Sequence, residues 1–424
     1  MKVLFKVSFA DLLMHKKRTI LQIIGVLLSV VMLMISFGFL SAMNCFIRGM
    51  FKVEYQYDDY SENIDWLIDY NIHYMKLHII GLGIMALIIF FAILLINSVF
   101  AIDYGERVKL LGLLSSMGAS TVHKSFIVFI QTVIILLFSV PFGVLIGYEI
   151  AQKLIVFLFN TVVRYFEEID VSGFYISSNM VTKWLSIVVV TALLSTLIPI
   201  IKSRKNIIDL LHINNGIRVS LKKNLFIDFF EKIFGIIGTI AAKNYNNNRV
   251  KFRMLSVSMS AGMIMLSFSA ILNGYMMQCV DVDNIDELAS FTNFMNSFKY
   301  FFIVICSIML VNGIILFMDN INLRMREFAM FRSAGMDYSM LRKMIYIECL
   351  YYGIYSLVYG FIGSFVADLF VFANFPSDDK FFVFPYKVWL LSFCFILFIV
   401  NGLMIYSVFK IRNRNIIDEL KVNE

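Results

Sequence analysis

Glu106-Arg107-Val108-Lys109-Leu110-Leu111-Gly112-Leu113-Leu114-Ser115-Ser116-Met117-Gly118-Ala119 stands between two long apolar stretches of the chain. Arg324-Met325-Arg326-Glu327-Phe328-Ala329-Met330-Phe331-Arg332-Ser333-Ala334-Gly335-Met336 stands between two others. Setting Gly118 on Gly335, a shift of 217 (335 − 118), also sets Leu111 on Phe328, Leu114 on Phe331 and Ser116 on Ser333. Each copy reads as a short basic amphipathic helix stopped by glycine, the residue that most readily takes the left-handed conformation at a helix end. A chain that repeats such a helix between hydrophobic segments presents two equivalent surfaces, suited to a two-fold partner.

The sequence around these copies is that of a polytopic membrane protein. Of 424 residues 60% are hydrophobic, with 43 Phe and only 4 Pro, well outside the soluble globular range. A hydrocarbon core needs roughly 20 apolar residues per helix. Eight stretches qualify: about 20–43, 78–102, 125–150, 184–201, 254–276, 299–318, 344–370 and 386–409. The runs lack the alternation of a transmembrane barrel, and spanning backbone must satisfy its hydrogen bonds internally, so the fold class is all-α with eight transmembrane helices.

With the N-terminus inside, 28 of the 37 Lys and Arg fall on inner segments, among them Lys16, Lys17 and Arg18 before the first span. That bias places both termini in the cytoplasm. Trp184 and Trp389 open the fourth and eighth spans at the outer interface, where amphipathic rings settle, and Trp66 lies in the first outer segment. The net charge of +7 is thus a sidedness signal rather than a nucleic-acid footprint. Met1 to Lys17 leads into a span with no small-residue cleavage site and reads as retained. The outer segments, about 44–77, 151–183, 277–298 and 371–385, read as loops too short for a sizeable external domain.

Further landmarks extend the duplication. Asn206-Ile207-Ile208-Asp209 follows the fourth span behind a basic patch, and Asn415-Ile416-Ile417-Asp418 follows the eighth, a shift of 209 (415 − 206). Lys16-Lys17-Arg18 opens the first half, and Arg249 to Arg253 opens the second. Two four-helix repeats result, 1–211 and 225–424, joined by a polar linker at 212–224. Phe226, Phe229, Phe230, Ile233, Ile237 and Ile240 recur at helical spacing as a surface-lying amphipathic helix, with a weaker counterpart from Val3 to Met14. Cys45 and Cys279 fall 27 residues after Arg18 and 26 after Arg253, matching positions for a disulfide if their Cα atoms approach within about 7 Å.

At the two glycine-stopped helices the chain resembles the FtsX-like permeases of ABC transporters, the class of MacB-type efflux pumps, lipoprotein-releasing permeases and BceB-type antimicrobial-peptide resistance permeases. Their signature approximates R-R-x-E-I-G-L-L-R-A-L-G-A-S between the second and third spans. Leu111 to Ser120 follows it closely, and Arg326-Glu327-Phe328 with Arg332 to Gly335 follows it in the second copy. Departures are Leu110 for Glu, Ser115 for Arg, Ala329 for the first Gly and Met336 for Ala. The resemblance implies that these are coupling helices seated on an ATPase dimer at the cytoplasmic side. The coupling residues would be Arg107, Lys109, Leu111, Gly112, Leu114 and Gly118, with Arg326, Glu327, Phe328, Phe331, Arg332 and Gly335. Buried aromatic and arginine anchors are what interface hot spots are made of.

The chain has no G-x-x-x-x-G-K-[ST] phosphate loop, so ATP hydrolysis is expected in a separate subunit. The five histidines are scattered, with no metal-ligand spacing, and no nucleophile, base or cofactor set clusters; neither metal nor cofactor is expected. Glu348 lies inside the seventh span, and Gln131 takes its place in the first half (348 − 217). The pair is a candidate intramembrane gate, the other reading being side chains that reach back to the nearby interface. Asn97, Asn273, Asn312 and Asn401 are candidate interhelical contacts.

The resemblance implies the membrane subunit of an exporter or extractor in a bacterial plasma membrane, acting on an amphiphile such as an antimicrobial peptide, lipoprotein or lipid. Its alternative is a mechanical regulator of an extracellular cell-wall hydrolase, with Tyr55 to Tyr60 as a docking surface. Expected partners are the ATPase dimer, the lipid bilayer, and an extracellular or sensor protein.

Overall fold

The computed structural model describes residues 2–57, 64–163, 234–244, 249–276, 285–374 and 382–412 apart from isolated positions, and scattered positions within 182–194. Among them the chain is helical, with short turns and no strand. In order the helices are α1 (Lys2–Met14), α2 (Lys16–Tyr57), α3 (Ile64–Ser116), α4 (Thr121–Val163), α5 (Arg249–Met276), α6 (Ile285–Leu323), α7 (Met325–Ser333), α8 (Tyr338–Asn374) and α9 (Tyr386–Arg412).

Seven segments are long and apolar enough to cross a bilayer: Arg18–Phe39, Ile79–Phe100, Thr121–Leu154, Leu255–Tyr275, Lys299–Asn322, Tyr338–Asn374 and Tyr386–Ile411. They match the first to third and fifth to eighth expected spans. The fourth, 184–201, lies largely outside the described residues, as do Cys279, the linker, both Asn-Ile-Ile-Asp tails and Trp184.

The helices outrun their spans. Expected loops at 44–77 and 277–298 are in large part helix, since α2 continues to Tyr57, α3 begins at Ile64 and α6 begins at Ile285. At 1.5 Å per residue the 53 residues of α3 extend roughly 80 Å, far beyond a hydrocarbon core of about 30 Å. Hydropathy reports where a helix is greasy enough for lipid; it does not report where the helix stops.

Small residues set the packing, as expected where lipid removes the hydrophobic drive between helices. The α2–α4 and α5–α8 pairs are the tightest seams. A Cβ added at Gly143 in α4 would stand 2.8 Å from Val30 of α2, and one at Gly360 in α8 would stand 2.5 Å from Met263 Sδ of α5. The two contacts are equivalent: 360 − 143 is 217, and 263 − 30 is 233. The halves meet where α2 faces α6. There the Phe39 and Phe301 rings stack at 3.7 Å, and Asn312 donates to the Ser29 hydroxyl at 3.2 Å and the Gly25 carbonyl at 3.4 Å. Asn312 is thus an interhelical contact, whereas Asn401 donates to Leu397 of its own helix.

Candidate functional site: paired glycine turns over buried polar clusters

Both glycine turns close in the same way. Gly118 has φ 86° and Gly335 φ 94°, left-handed values that a Cβ disfavours. The Gly118 N–H donates to Ser115 O at 3.0 Å and the Ala119 N–H to Leu114 O at 2.9 Å. The Gly335 N–H donates to Arg332 O at 3.1 Å and the Met336 N–H to Phe331 O at 3.0 Å. All four residues of each set differ by 217, and the pattern is the paired bonding of a Schellman cap. Two residues on, the next helix is capped in both copies. Ser120 Oγ accepts the His123 N–H at 3.3 Å, and Asp337 Oδ2 accepts the Ser339 hydroxyl at 2.7 Å and its N–H at 3.4 Å. The Ser339 hydroxyl, with the Tyr338 and Ser339 backbone N–H groups, holds the exposed Asp337 carboxyl below its ordinary value.

Before the turns the copies differ. The first is no separate short helix: it is the end of α3, continuous with the preceding span. The second is interrupted at Arg324, whose backbone (φ −99°, ψ 3°) leaves α-geometry and starts the nine-residue α7. The break coincides with an ion pair. Arg324 donates to both Glu348 oxygens, Nη1 to Oε2 at 2.6 Å and Nη2 to Oε1 at 3.0 Å, and both residues are almost fully buried. Arg324 Nε also reaches Glu327 at 3.0 Å, and the guanidinium lies 4.9 Å from the Phe328 ring centre. Burial alone would lower the Arg324 pKa; the Glu348 charge outweighs it and holds the guanidinium above its ordinary value.

Glu348 thus has a cation partner just beyond the end of the Lys299–Asn322 segment. It is tied to the head of α7 and receives a further hydrogen bond from Asn244 at 3.1 Å. Gln131 makes the equivalent bond in the first half, donating to Asp11 at 2.9 Å. The pairs correspond by the same shifts, 348 − 131 being 217 and 244 − 11 being 233, with amide and carboxylate exchanged between elements. Arg18 supplies the cation there, 3.3 Å from Asp11. Thus the second half links α7 to a spanning helix by charge, whereas the first half links α1 to α2.

The expected coupling residues whose side chains are described differ in exposure. Phe328 is 1% exposed and packs into its own bundle, so it does not belong to an outward surface; Gly112 is also buried. Leu114, Phe331 and Arg332 are half-buried, and Glu327 is partly accessible. Met117 at 82% and Met330 at 48% exposed are the prominent apolar groups near the turns, and both glycines are exposed. The side chains of Arg107, Lys109, Leu111 and Arg326 lie outside the described residues.

Sequence reading missed Asp11, Arg18 and Asn244 as cluster members and Arg324 as the break point. The available signal was the lone acidic residue of the pre-span helix and an arginine one turn before a Glu-Phe pair.

An all-helical bundle with at least seven membrane-length segments and two copies of one capped turn defines a polytopic membrane protein with repeated turn elements. The FtsX-like permease C-terminal family profile matches the chain at residues 82–207 and 299–416, and the chain belongs to that family. The matches start 217 residues apart (299 − 82) and end 209 apart (416 − 207), the same shifts as the glycine turns and the tails. The family is one of ABC transporter permease subunits, which is the class of this protein. Neither a curated protein nor a solved structure matches the chain.

Proposed function

We propose that this chain is the membrane subunit of an ATP-driven exporter or extractor of an amphiphilic substrate, with ATP hydrolysed by a separate pair of subunits. The observation that carries the proposal is the twice-built glycine turn, which offers two like docking points at one end of the bundle. The repeats are 1–211 and 225–424 about the linker 212–224. The turns and both termini face the cytoplasm of a bacterial cell, on the strength of the lysine and arginine bias.

Closure of the ATPase pair would move the turns together. In the second half the motion passes from α7 through Arg324 to Glu348 and so to α8. A bidentate, desolvated ion pair suits this work because it resists sliding in a way that apolar packing does not. In the first half the turn is the end of α3 itself, and motion passes along one continuous helix. Gln131 and Glu348 serve as the joints at which each third span meets its neighbours.

Leu114→Asp and Phe331→Asp, with Met117→Asp and Met330→Asp at the more exposed positions, test the docking. Each is expected to reduce co-purification of the ATPase subunit; undiminished capture by all four would refute the assignment. Deleting Tyr55 to Tyr60 separates exporter from hydrolase regulator, since an exporter keeps its substrate movement and a regulator loses its external partner.

A further inference from the structure

The α5–α8 seam differs from its counterpart in one respect that the coupling role does not use. Along α8, Glu348, Tyr352, Ser356, Gly360, Ser364 and Asp368 recur every fourth residue and are all buried, a row that winds slowly about the helix axis. The helix thus has a buried acid near each end. The first half carries Gln131, Ile135, Ser139, Gly143, Gly147 and Ala151 at the matching positions, and so ends without an acid. Across the seam Ser267 and Tyr275 of α5 are fully buried. The shift of 233 puts Met34 where Ser267 stands.

Asp368 lies six residues from the end of α8 at Asn374, about 9 Å along the axis. Its side chain is fully buried. Oδ1 accepts the Tyr275 hydroxyl at 3.0 Å, while Oδ2 has no hydrogen-bond partner; the Ser267 hydroxyl is likewise unpartnered. No Lys or Arg among the described residues pairs with Asp368. A buried carboxylate with an open oxygen is costly unless a cation or proton joins it. Aromatic rings continue from this point to the surface. Tyr275 lies 6.2 Å from Phe372, Phe372 lies 5.9 Å from Phe382, and Phe382 lies 6.2 Å from the exposed Phe365. Aromatic faces attract cations, and they also give an apolar chain a surface to lie on.

We propose that the Asp368 end of the α5–α8 seam is a substrate subsite for the cationic head of an amphiphile, a primary ammonium or guanidinium. The head takes the open carboxylate oxygen when the seam parts, and the apolar tail lies along the Phe372–Phe382–Phe365 string. The polar lining lowers the cost of parting this end of the seam, where Ser364 and Ser267 stand in the places of the packed Gly147 and Met34 of the other. This rests on the exporter reading for its purpose and, through the orientation adopted there, opens toward the outer leaflet.

The test is equilibrium binding to the full chain in lipid nanodiscs, without the ATPase. The probes are a dansyl-labelled long-chain primary amine and the matching alcohol. The wild-type chain is expected to bind the amine at least about tenfold more tightly than the alcohol, a charge-assisted hydrogen bond being worth about that much. Asp368→Asn keeps an acceptor for Tyr275 and is expected to lose the preference; Asp368→Glu and Tyr275→Phe are expected to keep it. Equal binding of both probes by wild type, or an undiminished preference in Asp368→Asn, would overturn the proposal. Loss of preference in Tyr275→Phe as well would also overturn it, pointing to disturbed packing rather than charge recognition. Amine preference in a chain that captures no ATPase would leave the subsite standing and remove the exporter reading; ATPase capture without preference would do the reverse.

Discussion

Separating Arg324 from Glu348 should unfasten α7 from the spanning bundle, and the structure says which partner suffers more. Removing one member of a buried ion pair typically costs about 3–5 kcal/mol, because the other charge remains desolvated. In Glu348→Gln, Arg324 keeps Glu327 at 3.0 Å, and Glu327 is 44% exposed, so part of the charge is still compensated. In Arg324→Met, Glu348 keeps only the neutral Asn244 amide at 3.1 Å. Arg324→Met should therefore lie near the upper end of that range and Glu348→Gln near the lower. The double variant Arg324→Met with Glu348→Gln removes both charges and should cost less than Arg324→Met alone. The assay is a double-mutant cycle on denaturant unfolding in mixed micelles, accompanied by hydrogen exchange at α7. Additive single effects, or singles each below about 1 kcal/mol, would show that the pair is not the fastening described.

Other outcomes follow from the same packing. Gly118→Ala and Gly335→Ala meet no atom within 4 Å, so their cost is backbone strain alone, about 1–2 kcal/mol each, and should appear as faster exchange of the cap amides. Gly360→Leu should destabilise by about 1–3 kcal/mol or more through the clash with Met263, whereas Gly402→Ala meets nothing within 4 Å and should be neutral or slightly stabilising in thermal unfolding. Phe328→Ala should lower stability by about 3–5 kcal/mol, unlike the exposed Met330→Asp, which should lower partner capture with little effect on unfolding. The lowered pKa of Asp337 means that its contribution to the start of α8 is present above the ordinary carboxylate value of about 3.9 and fades as pH falls through its depressed one. Asp337→Ala should abolish that acid-dependent rise in Ser339 amide exchange.

The bundle was legible where physics writes strongly into sequence. Apolar runs of membrane length mark spans, and a Gly after an amphipathic stretch marks a left-handed stop, which is why Gly118 and Gly335 emerged with no other information. The ends of α2 and α3 were not legible, because helix outside lipid needs no apolar run. Phe328 was placed on the wrong side because a nine-residue amphipathic helix has an apolar face whether that face meets a partner or its own spans; the contact with Arg324 decides it. The repeat shift before the first and fifth spans reads as 235 if Arg18 is set on Arg253, but the Gly143–Val30 and Gly360–Met263 contacts fix it at 233, two residues away. Asp368 escaped notice since a carboxylate near a span end reads as solvated. Its burial against Tyr275 of α5 is what shows that it faces inward.

The central claim is that two like turns engage two like ATPase subunits. Purification of the tagged full chain in mild detergent, followed by native mass spectrometry, tests it most directly. The account predicts one permease chain with two copies of a Walker-motif ATPase, an assembly that weakens when Met117 and Met330 both become Asp. A chain that purifies alone with and without nucleotide, or with a single ATPase copy, would contradict it.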